Sequence, residues 1–186
     1  MFEGKEACKL DIYIRVERSG DFEQVDALLD HAFSDEKYSR GDEGHMIRML
    51  RESDNYLEDL SIVAERHGRI IGYVMLVPAS VNGFPDALPS LVLAPVAVLQ
   101  EYQGRAVGSR LVEFVLERAR ELGYGSIFVF GHPAYYPRFG FKPASLRGIT
   151  APFEVSDESF MSLELVDGAL EGVHGLLDVS PIFQQT

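Results

Sequence analysis

The chain has 186 residues, 46% of them apolar, a net charge of −12 and one cysteine, Cys8. That length suits one domain with a real core, and the lone cysteine excludes an internal disulfide and a multi-cysteine zinc site. The acidity disfavours general binding to nucleic acid or anionic lipid.

Met1–Leu10 is charged and lacks an apolar signal core, so residues 1–10 are expected to be a flexible lead-in. Ile12, Ile14 and Val16 alternate with Tyr13 and Arg15, which predicts a strand. Asp21 is a candidate cap for a helix to about Phe33, with Phe22, Val25, Leu28 and Leu29 as its stripe. A polar loop, Ser34–Gly44, leads to a second helix near residues 42–52 that carries Met46, Ile47, Met49 and Leu50. Strands over 61–65 and 70–77 are joined by Arg66-His67-Gly68-Arg69, a glycine-bearing hairpin link. Asn82-Gly83, Pro85 and Pro89 mark a loop. The apolar run Leu91–Val98 reads as a central strand buried on both faces. A helix follows, with Val107, Leu111, Phe114, Val115 and Leu122 on one face and Gly123 as its stop. Ser126–Phe130 is a strand, Pro133–Arg138 a turn, and Phe160–Leu165 alternates like a strand before a glycine-rich tail of ambiguous structure. This order describes an α/β domain with a mixed sheet. No apolar run approaches the roughly 18 residues of a membrane span, and a cytoplasmic protein is expected.

The junction Gln103-Gly104-Arg105-Ala106-Val107-Gly108-Ser109 carries the chemistry. It delivers a strand end into a helix N-terminus, where amides lack intrahelical partners and the dipole is positive. Gly104, Ala106 and Gly108 let an anion approach the backbone, and Arg105 adds charge. A tight strand-to-helix turn packed with small residues is the other way to read the same spacing. No Gly-Lys-Ser/Thr follows, so this is not a Walker A loop. Residues 101–142 hold six bases against four acids, a net +2 that leaves −14 elsewhere. An anionic ligand is drawn to that window, a cationic one to the rest.

Gln103–Gly108 resembles the Gln/Arg-x-x-Gly/Ala-x-Gly/Ala signature of the GNAT N-acetyltransferase superfamily. Gly131-His132-Pro133-Ala134-Tyr135-Tyr136-Pro137-Arg138-Phe139-Gly140-Phe141 is similar to its YhbS-like bacterial branch. The resemblance covers residues 11–145 and implies a GNAT-like mixed sheet, flanked by helices, with two splayed parallel strands at Leu91–Val98 and Ser126–Phe130. Residues 146–186 are expected to complete the same domain. Acetyl-CoA is the implied co-substrate, with no metal. The backbone of Val96, Ala97 and Val98 is expected to pair with the pantetheine arm. Gln103, Gly104, Arg105, Ala106, Val107, Gly108 and Ser109 are expected to hold the pyrophosphate. Ala106 replaces the commoner glycine, and Gln100 stands where proline is usual.

Acetyl transfer to an amine needs a neutral amine, a donor for the developing oxyanion and an acid for the leaving thiolate. A backbone donor near Val98 suits the oxyanion. The resemblance makes Tyr136, four residues before Gly140, the general acid, and Tyr135 is assigned to packing. The helix that relatives place ahead of this tyrosine is shortened by Gly131-His132-Pro133 and carries no asparagine; His132 is either a polar contact or a turn residue. No base is assigned. Glu65, Glu101, His45, Asp35, Glu36, Asp42 and Glu43 qualify by type only. The acidic loop, with Lys37 and Arg40 interleaved, suggests a cationic amine, small-molecule or peptide, as acceptor. A homodimer through the C-terminal tail stays open, with neither nucleic acid nor membrane as partner. An acyl-CoA sensor without efficient chemistry is the alternative function, and an interaction domain whose turn binds nothing is the third.

Overall fold

The computed structural model describes residues 11–33 and 43–179. The lead-in 1–10, most of the acidic loop (Asp35, Glu36, Lys37, Arg40 and Asp42) and the end of the tail lie outside the described residues, as does the side chain of Glu43. In chain order the elements are β1 (Tyr13–Val16), α1 (Phe22–Phe33), α2 (Glu43–Arg51), β2 (Ser61–Arg66), β3 (Arg69–Val81), β4 (Ser90–Val98), α3 (Val107–Glu121), β5 (Ser126–Phe130), β6 (Lys142–Pro143), β7 (Ile149–Thr150), β8 (Phe160–Glu164) and β9 (Gly175–Asp178). Among the described residues the main sheet runs β1-β2-β3-β4-β5-β8-β6. Only β4 and β5 within it are parallel; β9 pairs with the far end of β3 and with β7. No helix of the described residues is long and apolar enough to cross a membrane.

Side-chain alternation sorts the sheet into two faces. A Cβ at Gly72 of β3 would meet Leu111 and Val107 of α3 at 2.9 and 3.2 Å, so this face of β3 packs on α3 and glycine lets the helix sit close. Tyr73 faces the other way. Its hydroxyl bonds Ser61 (2.8 Å), which bonds the buried Glu17 (2.6 Å), which pairs with Arg51 of α2 (2.6 Å). Arg51 also holds Asp26 of α1 at 2.7 Å, so this polar network ties both N-terminal helices to the face opposite α3.

Several sequence readings change. Asp21 does not cap α1: its carboxylate accepts the Arg18 amide (2.8 Å) and pairs with Arg15 (2.6 Å), which hold it below the usual carboxylate range, Arg15 foremost. The buried stripe of α3 is Val107, Leu111, Val112, Val115, Leu116 and Ala119, while Phe114 and Leu122 are exposed. Phe114 lies two full turns beyond Val107 at the border of the stripe, and Leu122 follows the last helical residue. The hairpin turn is only His67-Gly68, with positive φ at both residues (51° and 79°), because such a turn matches strand twist. The glycine-rich tail contains β9, which returns to Ser80 and Val81 of β3.

Candidate functional site

The cleft arises where two neighbouring strands part. Pairing between β4 and β5 begins at Ser90–Ser126, where the two hydroxyls bond at 2.8 Å, and ends at Leu93–Val129. Beyond that, Ala94 and Pro95 stand opposite the single residue Met75 of β3, a bulge that turns the rest of β4 away from β5. The apolar run expected to be buried on both faces is therefore half-exposed at Ala94, Val96 and Val98. The Leu99 amide donates to Ile71 (3.0 Å), so hydrogen-bonded pairing continues at Ala97–Tyr73. Ala97 thus turns its peptide groups to β3. Val96 and Val98 turn theirs into the opening.

The turn after β4 is pinned by Gln103, whose amide donates to the Val98 carbonyl at 3.1 Å. Gly104 and Ala106 both have positive φ, 71° and 62°. That conformation curls successive amides toward one concavity. In Ala106 it costs about 1–2 kcal/mol, which a glycine does not pay. The first helical bond joins the Arg110 amide to the Ala106 carbonyl at 3.0 Å. The amides of Val107, Gly108 and Ser109 precede it and have no carbonyl of α3 to meet.

Unpaired positive charge gathers at this end. Arg66 and Arg105 stand 5.8 and 5.9 Å from the Tyr102 ring centroid, and Arg138 lies 4.6 Å over Tyr135. None of the three forms an ion pair among the described residues. At the other end of α3, Arg118 pairs with Asp59 and Glu121, and Arg120 with Glu117. Arg118 and Arg120 of the basic window are thus paired at the far end of α3, while Arg105 and Arg138 meet no carboxylate among the described residues.

Tyr136 stands on the opposite wall, in a 3-10 turn Tyr136–Phe139 that ends in Gly140 at φ 95°. A Cβ at Gly131 would overlap the Tyr136 ring, with Cδ2 at 2.9 Å and Cζ at 3.2 Å. Glycine at the end of β5 therefore lets the phenol lie at the mouth of the opening. Phe141 and Tyr135 meet the ring edge-on at 5.7 and 5.1 Å. Burial, and then the neighbouring Tyr135, push its pKa well above the ordinary tyrosine value. The Tyr136 hydroxyl makes no hydrogen bond among the described residues, so the group is a protonated donor without an acceptor.

Tyr135, assigned to packing, reaches across the cleft. Its hydroxyl comes within 3.0 Å of where a Gly108 Cβ would stand. The motif spacing counted residues to Gly140 and carried no signal for this neighbour. His132 resolves to a turn residue, since its ring accepts the Ala134 amide at 3.2 Å. On the face away from α3, Phe130 stacks on Phe160 (4.8 Å) and Phe153 (4.6 Å), and Phe153 is exposed. Among the candidate bases, Glu65 is paired with Arg15 and Glu101 with Arg69, while His45 is exposed on α2. None stands free at the cleft.

The family model described as acetyltransferase (GNAT) family matches residues 24–141. The chain is 33% identical over 172 residues to the uncharacterized N-acetyltransferase YhbS of Escherichia coli K12, covering 92% of this chain and 98% of that protein. It is 37% identical over 117 residues to the uncharacterized N-acetyltransferase YjhQ of the same organism, covering 62% of this chain and 65% of YjhQ. The crystal structure of Escherichia coli YhbS in complex with CoA superposes with a TM-score of 0.85 at 33% identity, covering 95% of this chain and 93% of that one. A GNAT family acetyltransferase from Brucella melitensis, in complex with acetyl-CoA, gives 0.76 at 27% identity, covering 92% and 97%.

Proposed function

Because the chain belongs to the acetyltransferase (GNAT) family of enzymes, we propose that it transfers an acetyl group from acetyl-CoA to a primary amine by direct attack. The observation that carries the reading is the splayed β4–β5 opening flanked by the amides of α3 on one side and Tyr136 on the other. The donor set suits a pyrophosphate: the amides of Val107, Gly108 and Ser109 with no carbonyl of α3 to meet, small residues at Gly104, Ala106 and Gly108, and Arg66, Arg105 and Arg138 without acidic partners among the described residues. Acetyl-CoA supplies the activated acyl group.

The chain's own groups divide the work. The Val107, Gly108 and Ser109 amides hold the phosphates, and Arg105 screens their charge. Val96 and Val98 offer peptide groups to the pantetheine amides as an added strand would. A backbone amide of β4 near Val98 is the donor for the oxyanion. Tyr136 delivers its proton to the departing thiolate. Its raised pKa keeps that proton available through neutral pH. The amine's own proton leaves to water.

The acceptor enters from the face that carries α1 and α2. The acidic loop argues for a cationic amine, whereas the exposed Phe153 beside Phe130 favours an amine carried on an aromatic or apolar body. Free-thiol release from acetyl-CoA across a panel of polyamines, arylalkylamines and N-terminal peptides tests both. Release with at least one amine supports the transferase reading. Acetyl-CoA binding with no release by any amine supports the sensor alternative. An unchanged melting temperature with acetyl-CoA at saturating concentration contradicts both.

A further inference from the structure

We propose that the Tyr135 hydroxyl, together with Arg138 stacked on its ring, is a second ligand for the pyrophosphate of the CoA thioester. This rests on the CoA reading above and adds a side-chain wall to a site otherwise made of backbone. Three elements meet at this hydroxyl. A Cβ built on Gly108 would lie 3.0 Å from Tyr135 Oη and 3.6 Å from Val98 Cγ2, so the phenol ends where the open end of β4 joins the N-terminus of α3. Tyr135 is half-buried, yet its hydroxyl makes no hydrogen bond among the described residues. A donor held that way beside the free amides of Val107, Gly108 and Ser109 converges with them on one acceptor. The ring is fixed before any ligand arrives. It meets Tyr136 and Phe139 edge-on, at 5.1 and 5.5 Å. Arg138 lies 4.6 Å over its face, with no carboxylate partner among the described residues. The acceptor that suits a phenol, a guanidinium and three amides is an anionic phosphate oxygen. The adjacent tyrosines then serve the two ends of the pantetheine arm: Tyr135 the phosphates, Tyr136 the sulfur.

The test is calorimetric binding to the full chain of CoA, of dephospho-CoA, which keeps the pyrophosphate but lacks the ribose phosphate, and of pantetheine, which lacks both. Tyr135→Phe is expected to weaken CoA and dephospho-CoA alike, by about tenfold, with less than about a twofold change for pantetheine. Arg138→Gln is expected to weaken the same two ligands and to flatten the salt dependence of their binding. Equal losses on all three ligands would mean that the ring only packs, and would overturn the proposal. A loss confined to CoA would move the contact to the ribose phosphate and overturn it too. No loss with an unsubstituted chain that binds CoA overturns this proposal alone. Failure of the unsubstituted chain to bind CoA overturns the CoA reading and this inference with it.

Discussion

Replacing Gly131 by alanine separates the position of Tyr136 from its chemistry. The backbone at Gly131 needs no special conformation; the glycine is required because the phenol lies across it. An added methyl overlaps the ring, and restoring a carbon–carbon contact of about 3.5 Å forces the ring back by about an ångström. Such overpacking costs about 1–3 kcal/mol, and each kcal/mol lowers the melting temperature of a chain this size by roughly 2–4 °C. A displacement of that size at a proton donor costs about 10²-fold in turnover. Thiol release under saturating acetyl-CoA reads the rate, and calorimetry with CoA reads binding. We expect turnover to fall about 100-fold while the CoA dissociation constant moves less than about threefold. The double variant Gly131→Ala/Tyr136→Phe should be no slower than Tyr136→Phe, because both remove the same proton transfer. Wild-type turnover in Gly131→Ala, or additive losses in the double variant, would refute the assignment of Tyr136 as the acid held by this contact.

Other consequences follow from the same geometry. Ala106→Gly relieves a left-handed alanine at the phosphate turn and should stabilise the chain by about 0.5–1 kcal/mol, after the extra chain entropy of glycine is deducted. Thermal melts should show this as a rise of about 1–4 °C. Glu17→Gln removes one of the two carboxylates that hold the buried Arg51, leaving Asp26, and should cost about 1–3 kcal/mol, read by urea unfolding. Burial raises the phenols of Tyr73, Tyr56 and Tyr136, so the fold holds their protons more tightly than the unfolded chain does. That stability is present in full below the ordinary tyrosine pKa of 10.0 and is lost as pH climbs through the raised folded values. Unfolding free energy should therefore fall above about pH 10, and Tyr73→Phe should reduce that fall. For Tyr136 the same shift predicts no alkaline loss of turnover below about pH 10 from ionisation of the acid.

What the sequence made legible is the half of the site built from local pattern. The turn from Gln103 to Ser109 shows its small residues and helix start in a single stretch, and the spacing from Gly140 singles out Tyr136, whose ring lies against Gly131 at the end of β5. What stayed hidden depends on neighbours in space. An unbroken apolar run from Leu91 to Val98 carries no mark of where β4 leaves β5. That point is set by the bulge opposite Met75, and it shifts Ala97 to the β3 side. Glu17, Arg51 and Ser61 are far apart in sequence and meet only because β1, β2 and α2 converge. The return of β9 to β3 was obscured because its strand is short and begins at a glycine. Tyr135 is assigned to packing and does pack against Tyr136 and Phe139, while its reach to Gly108, 27 positions upstream by number, exists only in space.

The central claim is that Tyr136 gives its proton to the thiolate in an acetyl transfer from CoA. Its most direct test is the rate of free-thiol release from acetyl-CoA, with the best amine of the panel, in Tyr136→Phe against the unsubstituted chain. Turnover is expected to fall by about 10²-fold with acetyl-CoA binding retained. Turnover equal to that of the unsubstituted chain would contradict it.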